Sequence, residues 1–588
     1  MSLTTDLSKR FADAYESLGL DPAGSEVVRS QRPELAQFQN NGAMTAAKAR
    51  GAAPRDLAQA IIDAIDDRSP FTDLSVAGPG FINITVDDGF LAGYTAALSD
   101  DERVGVPIVD DPLTVVVDYG GPNLSKSLHV GHLRAAIIGE SLKRLFRFVG
   151  HRVFGDIHMG DWGMPVGQLI IELEDRDPTL PYFDRDSTGG YPDESPVTLD
   201  ELSDMYPVIT ARAAADPDVA ERARRATFEL QRGRPGYVAL WQHFRDTSVA
   251  GQRQDFDALG VAFDLYWGES TVQHRIAQMI TRLVDDGVAV ESDGALIVDV
   301  ARPDDATEMP PLLLTRSDGS YLYSTTDLAT VEARVDELHA DAMLYVVDAR
   351  QSLHFEQVFR AARKGAIAPK PILLEHIAFG TVNGEDGKPF KTREGGVLRL
   401  EDLIALVTDA AQRRLDEAEF ALTYPDEERS RIAAAVGLAA LKFGDLSNHR
   451  TSNYVFDVDR FTSFEGKTGP YLQYGAVRMK SIVRNAEQRG LGPGSVMPAA
   501  NDTERTLCLR LVRLPEAVAR ATELRAPNTL TEFAYELVGE FNRFYEVNHI
   551  LSESDPGRQA SWLAIVVSAL RVLERILDLL GIEVPDRM

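Results

Sequence analysis

Residues 113–150 read LTVVVDYGGPNLSKSLHVGHLRAAIIGESLKRLFRFVG, and the fold turns on them. The first seven, LTVVVDY, form an apolar run rich in β-branched side chains, the pattern of a strand buried on both faces. Gly120, Gly121 and Pro122 break that strand. His129-Val130-Gly131-His132 then open a helix, with Glu140, Lys143, Arg144 and Arg147 on one stripe and Ile138, Leu142, Leu145 and Val149 opposite. This spacing predicts an amphipathic helix packed on a sheet. Free N–H groups at its start, aided by the helix dipole, would attract a phosphate. Gly131 carries no side chain, so a flat base or ribose could approach the backbone. His129 and His132 share a face and could donate to phosphate oxygens as charge builds in a transition state. A pair of surface histidines at a helix start is the alternative. The strand-turn-helix context favours nucleotide binding.

Outward from this motif, four stretches differ in pattern. Residues 1–110 start helical and reach the alternating run FINITV, residues 81–86, after the turn Gly78-Pro79-Gly80. They read as a small N-terminal α/β domain. Residues 111–404 alternate strands and helices, including ALIVDV at 295–300 and MLYVVDA at 343–349. Residues 173–290 look like an insertion that opens with a polar loop around Thr188-Gly189-Gly190 and continues as helices. Residues 405–588 are almost wholly helical, as in SWLAIVVSALRVLERILDLL at 561–580. The expected architecture is α/β: a doubly wound parallel sheet with insertions, a small N-terminal α/β domain and an all-α C-terminal bundle.

Composition narrows the function. The chain has 588 residues and a formal net charge of −29, which opposes unselective coating of nucleic acid. A selective partner stays open, because local basic patches act within a screening length of about 8–10 Å. Cys508 is the single cysteine. It excludes an intrachain disulfide and any multi-cysteine zinc site. The first residues lack the basic start and apolar run of a secretory signal, and no stretch of about 18 apolar residues occurs. The expectation is a cytoplasmic protein with no membrane span.

A second motif lies at residues 380–402, GTVNGEDGKPFKTREGGVLRLED. Its glycines suit a mobile loop carrying Lys388, Lys391 and Arg393. Such a loop could close on a pyrophosphate leaving group and hold it more tightly in the transition state. A solvated basic hairpin is the alternative. Three further strings complete the pattern: GDWGMPVGQL at 160–169, RSDGSYLYSTTDLA at 316–329 and YVVDARQSLHFEQVF at 345–359.

Together these motifs resemble the class I aminoacyl-tRNA synthetases, whose signatures are a HIGH tetrapeptide after the first strand of a Rossmann-like sheet and a KMSKS loop further on. PNLSKSLHVGHLR, residues 122–134, and GEDGKPFKTR resemble the arginyl branch in particular. The resemblance covers almost the whole chain. It implies ATP-dependent activation of L-arginine and transfer to the 3′ end of arginine tRNA, with activation needing bound tRNA. Magnesium would arrive with ATP; neither zinc nor a prosthetic group is implied, no protein metal site is expected, and a monomer is. The implied catalytic residues are Lys126, His129, His132, Lys388 and Lys391. Pro122, Asn123, Leu124, Ser125, Ser127, Leu128, Val130 and Gly131 would cradle ATP. Asn123, Tyr323, Asp327 and Gln351 would hold arginine.

Tyr323 and Asp327 are spaced i, i+4, so on one helix they would offer a phenol and a carboxylate on the same side, which suits a guanidinium. A helix N-cap role for Asp327 and core packing for Tyr323 are the alternatives. Two positions depart from the family: Ile157 stands where Asn is common, and Thr326 where Arg is common. Asp156 or His158 is expected to compensate in the arginine site. Residues 441–482 resemble the family's anticodon-binding domain, with Arg450, Tyr454, Lys467, Tyr474 and Arg478 as tRNA contacts. Aromatic faces there could stack on unpaired bases, or pack within a helical bundle. The N-terminal domain, with GPGFINI at 78–84, resembles the family's appended domain that contacts the tRNA corner. The rival readings are another class I synthetase, a smaller HxGH nucleotidyltransferase, and a synthetase-like paralogue that binds without charging.

Overall fold

The computed structural model describes every residue except 1, 33–34, 318, 385–386, 388–397 and 418–422. By packing, the chain forms two compact units. One comprises Met1–Ile108, Phe464–Asp578 and Glu583–Met588; the other comprises Val109–Ser463 and Leu579–Ile582.

In the former, Val27–Arg29 (β1), Phe38–Asn40 (β2), Phe71–Ala77 (β3) and Phe81–Val86 (β4) make an antiparallel sheet in the order β1-β2-β4-β3. FINITV is β4, with Ile82, Ile84 and Val86 fully buried. Helices late in the chain belong to this same unit. Thr4 donates to Glu516 at 2.7 Å, and Arg505 pairs with Asp88 at 2.8 Å. The first hundred residues therefore share their packing with helices more than 400 positions away.

The latter unit carries the parallel sheet. Its strands include, in chain order, Thr114–Tyr119 (β5), Arg152–Asp156 (β6), Val290–Ser292 (β7), Ala295–Val298 (β8), Leu312–Leu313 (β9), Ala342–Val346 (β10) and Leu373–His376 (β11). Four of them form the sheet β11-β10-β5-β6, with every pairing parallel. β7, β8 and β9 make a separate antiparallel sheet. The chain leaves β5 towards β6 on one side and later returns to β10 on the other. That change of direction opens a crevice at the C-terminal ends of β5 and β10, where doubly wound sheets bind ligands.

Helix Val130–Phe148 follows β5 and lies very close to it. A Cβ on Gly139 would sit 2.2 Å from Cγ of Tyr119, so only glycine permits this approach. The polar stripe is solvated only in part: Arg147 is exposed, whereas Glu140 and Lys143 are buried. Glu140 pairs with Lys143 at 2.7 Å and Arg144 at 2.8 Å, and accepts from the Tyr119 hydroxyl at 2.9 Å. Although burial opposes ionisation, Lys143 and Arg144 together hold Glu140 below the usual carboxylate range. On the same helix Arg134 is buried and pairs with Asp445 at 3.0 Å. Asp445 lies on helix Asp426–Leu446. Helices Leu400–Glu417 and Asp426–Leu446 thus pack with the sheet, and the division between units falls beyond them.

The predicted insertion contributes helices Leu199–Ala215, Pro217–Gln231 and Pro235–Ala258. With helix Met164–Arg176 they enclose a core that includes Leu169, Ile170, Leu202, Ile209 and Phe244. Among the described residues, no helix is long and apolar enough to cross a membrane.

Gly139→Ala should lower stability by about 3 kcal/mol, as overpacking of a tight core does. It would be read as a lower urea midpoint. Gly189→Ala, with nothing within 4 Å of the added Cβ, should leave the midpoint unchanged.

Candidate active site

The turn after β5 needs left-handed backbone, with φ +97° at Gly120 and +47° at Gly121. The chain then runs beside residues 157–160. Gly121 N–H donates to Ile157 O at 3.0 Å, Gly160 N–H to Pro122 O at 3.2 Å, and Leu124 N–H to Gly160 O at 3.2 Å. One face of helix Pro235–Ala258 holds the segment from the other side. Ser248 accepts from Ser125 N–H at 3.0 Å, Gln252 donates to Asn123 O at 2.9 Å, and Asp255 accepts from Leu128 N–H at 3.4 Å. These three side chains are spaced i, i+4, i+7, a helical stripe inside the predicted insertion.

Burial divides the candidate ATP residues. Pro122, Leu124, Ser125, Leu128 and Val130 are buried and support the loop. Asn123, Lys126, Ser127, His129, Gly131 and His132 keep accessible surface. Lys126, Ser127 and His129 border an open cleft of about 640 Å³ with Tyr206 and Arg399. The Lys126 ammonium lies 4.5 Å from the centre of the Tyr206 ring.

The histidines behave differently from the expectation of a bare helix terminus. Val130 N–H donates to Leu398 O at 3.1 Å, and Gly131 N–H donates to Nδ1 of His129 at 3.0 Å. His129 N–H donates to Nδ1 of His132 at 3.1 Å. The two imidazoles are the helix cap, and they occupy donors that the sequence reading had left free for an anion. Because each Nδ1 accepts, each neutral ring must carry its proton on Nε2. Burial, then the neighbouring His129, pushes His132 down to about 3. Burial and Lys126 also lower His129. The rings lie 4.0 Å apart, two neutral N–H donors side by side. Lys388 and Lys391 fall outside the described residues.

A second cluster surrounds the start of helix Tyr323–Leu338. Leu322 is the N-cap position, so Asp327 is not the cap. Tyr323 is 59% exposed, so it is not core. A residue the sequence reading passed over, His354, joins them: its Nε2 lies 2.6 Å from Oδ2 of Asp327, and its ring centre 4.7 Å from that of Tyr323. Its signal was present in QSLHFEQ, three residues after Gln351. Gln351 itself is exposed at the start of helix Ser352–Lys364.

Glu269 was also missed, because it sits in the stretch read as an insertion. It opens helix Glu269–Asp285 and accepts from Trp162 N–H at 3.2 Å. Burial first, with repulsion from Asp161 and Asp327, outweighs the Trp162 hydrogen bond and the pull of His158, and pushes Glu269 up to about 7.

Asp156 has a different place from the one expected. It is fully buried, 2.6 Å from Arg334, and its other oxygen accepts from Trp267 N–H at 3.2 Å. Both oxygens are thus engaged by buried partners, where an arginine ligand beside Ile157 had been expected. Ile157 is itself core, 1% exposed, and Thr326 is buried in its helix. His158 has φ +40° and an Nδ1 with no hydrogen-bond partner among the described residues. Asp118, Asp156 and His158 lie close enough together to hold a metal, but the Arg334 guanidinium stands 2.6 Å from both carboxylates and supplies the positive charge.

The candidate tRNA residues divide between the units. Tyr454 is buried, its hydroxyl 3.1 Å from Asp445 and its ring 5.2 Å from the Arg134 guanidinium, so base stacking is closed to it. Arg450 follows helix Asp426–Leu446, and its carbonyl accepts from Gly380 N–H at 3.0 Å. In the other unit Lys467 pairs with Glu532. Tyr474 remains 39% exposed, and Arg478 donates to its hydroxyl at 3.0 Å and to Asn542 at 2.8 Å.

A parallel doubly wound sheet with a histidine-capped helix at its switch point is the catalytic fold of class I aminoacyl-tRNA synthetases. The family model for the catalytic domain of class I tRNA synthetases of the arginine type matches residues 94–458. The arginyl-tRNA synthetase N-terminal domain matches 2–86, and the DALR anticodon binding domain matches 472–588. The chain belongs to the arginyl-tRNA synthetase family. It is 48% identical over 587 residues to the arginine–tRNA ligase of Alkaliphilus oremlandii and 49% identical over 590 residues to that of Hyphomonas neptunium, covering 100% of each chain in both cases. Its fold is like that of the solved arginyl-tRNA synthetase of Thermus thermophilus, with a TM-score of 0.80 at 22% identity and 100% of both chains covered. The solved enzyme of Plasmodium falciparum gives the same TM-score and identity, with 100% and 99% covered.

At pH 5, nitrogen NMR of the ligand-free protein should show His132 still neutral with its proton on Nε2. A titration midpoint near the ordinary 6.5 would contradict the buried cap.

Proposed function

We propose that this chain activates L-arginine with ATP and transfers it to the 3′ end of arginine tRNA, as a cytoplasmic monomer. The observation that carries the reading is the pairing, on one sheet, of two neutral imidazoles at the helix start with a phenol–carboxylate site at Tyr323 and Asp327. The first suits a nucleotide and the second a guanidinium.

In the first step the arginine carboxylate attacks the α-phosphorus of ATP, giving arginyl-adenylate and pyrophosphate. The Nε2–H groups of His129 and His132 donate to phosphate oxygens as charge accumulates there, and Lys126 adds positive charge from the neighbouring cleft. Lys388 and Lys391 act on the pyrophosphate. Magnesium arrives with ATP, held by its phosphates. Arginine is read by Asp327 and Tyr323, with Asn123 and Gln351 beside them. Glu269 supplies a second carboxylate, and His158 borders it. In the second step a ribose hydroxyl of the tRNA terminus attacks the adenylate carbonyl and AMP leaves. No protein nucleophile is needed, so catalysis is positioning and electrostatics. Lys467, Tyr474, Arg478 and Arg450 contact tRNA on this reading, and the N-terminal domain contacts the tRNA corner.

Purified protein should charge arginine tRNA, and its arginine-dependent ATP–pyrophosphate exchange should require that tRNA. Absence of charging by folded protein would refute the reading. Asp327→Asn should raise the arginine KM by about 10-fold or more, the loss of a charged hydrogen bond.

Glu269 makes the site sensitive to pH. Its carboxyl, raised to about 7, is mostly protonated at pH 6 and ionised at pH 8. A cation binds the ionised form, so arginine affinity should increase as pH rises, by up to about tenfold per unit below pH 7. Glu269→Gln should flatten that KM profile.

A further inference from the structure

Asp327 lies one turn inside its helix with 27% of its side chain exposed. Among the described residues its carboxylate has one side-chain partner, Nε2 of His354 at 2.6 Å. Tyr323, one turn earlier, projects a phenol that is 59% exposed and among the described residues meets a single ring, again that of His354. One imidazole therefore touches both groups proposed to read the guanidinium. His354 itself is well packed: its side chain is 12% exposed, and its ring lies 5.4 Å from that of Phe355, which in turn packs 5.0 Å from Tyr345 on β10. The imidazole is thus held by the core, whereas the two side chains it touches are not.

An aspartate and a half-free tyrosine each have torsions to fix before a planar cation can be bound in one orientation. An imidazole that donates from Nε2 takes one carboxylate oxygen and leaves the other for the ligand. Its ring face limits the swing of the phenol.

We infer that His354 is a positioning residue for arginine recognition: it orients the Asp327 carboxylate through Nε2 and braces the Tyr323 ring, so that a guanidinium meets both preset. This rests on the proposed assignment of Asp327 and Tyr323 to the arginine site. On this assignment His354 acts only through Asp327 and Tyr323, so its loss acts on arginine binding and not on the chemical step.

The test is steady-state charging at saturating ATP and tRNA, with full-length His354→Ala, His354→Gln, His354→Phe, Asp327→Asn and the Asp327→Asn/His354→Ala double variant. His354→Ala should raise the arginine KM by about 10- to 100-fold, the scale of a hydrogen bond to a charged group, while kcat changes by less than about threefold. His354→Gln keeps an amide donor and should recover most of that loss. His354→Phe keeps a ring without a donor and should not. The double variant should lie within about threefold of Asp327→Asn alone, because the histidine acts through the carboxylate. Should His354→Ala fail to fold, the comparison of the Gln and Phe variants still decides. A raised KM in Asp327→Asn with an unchanged KM in His354→Ala, an equal loss in the Gln and Phe variants, or additive losses in the double variant would overturn the role of His354 alone. An unchanged arginine KM in Asp327→Asn would overturn the arginine-site assignment, and the inference with it.

Discussion

Arg334 extends its guanidinium into the C-terminal end of the parallel sheet, 2.6 Å from Asp118 on β5 and 2.6 Å from Asp156 on β6. Its charge also lies 5.4 Å from the Tyr345 ring on β10. Three of the four strands are thereby tied at the edge where the crevice opens. Burial opposes the charge, and Asp118, Tyr345 and Asp156 together outweigh it and raise Arg334 well above its ordinary value. Replacing such a network by apolar residues could be neutral, but removing one partner strands a buried charge at about 3–5 kcal/mol. The constraint reaches the site along one helical stripe. Arg334, Thr330, Asp327 and Tyr323 follow one another at spacings of four, three and four. Anchoring the helix at Arg334 sets where its first turn, and so the proposed guanidinium site, emerges.

The signature loop depends on the same kind of remote support. Its backbone is fixed by Ser248, Gln252 and Asp255, from a helix that looks in the sequence like an accessory insertion. Glu269, on the following helix, lies within electrostatic reach of Asp161 and Asp327. Residues 173–290 are therefore part of the floor of the site and not an appendage to it. A net charge of −29 coexists with this because the charges that matter are local and mostly paired. The two histidines proposed to meet the nucleotide are neutral donors, which suits a site where negative charge develops transiently.

Much of the architecture was legible from short-range pattern. The apolar run before two glycines gave β5, the alternation in FINITV gave β4, and the helix began at the two histidines, because strands, turns and caps are set by neighbours a few residues apart. Periodicity failed at Glu140 and Lys143. It identifies a polar stripe but not whether another segment covers it, and Tyr119 and the carbonyl of Ala262 do. At Tyr454 an aromatic among basic residues suggested a tRNA contact, and of the two readings it is packing that the structure shows, with its hydroxyl an internal donor to Asp445.

The sequence by itself determined the class of fold and the family, and it carried the motifs proposed to hold nucleotide and arginine, since those reside in contiguous strings whose backbone needs are local. The tertiary structure alone decided the state of the groups in the site. The elevated Glu269, the engaged Asp156 and the pairing of His354 with Asp327 arise from burial and from partners brought together across 27 to more than 100 residues, and the neutral His132 arises first from burial. Desolvation and Coulomb terms depend on distance in space, which no spacing along the chain encodes.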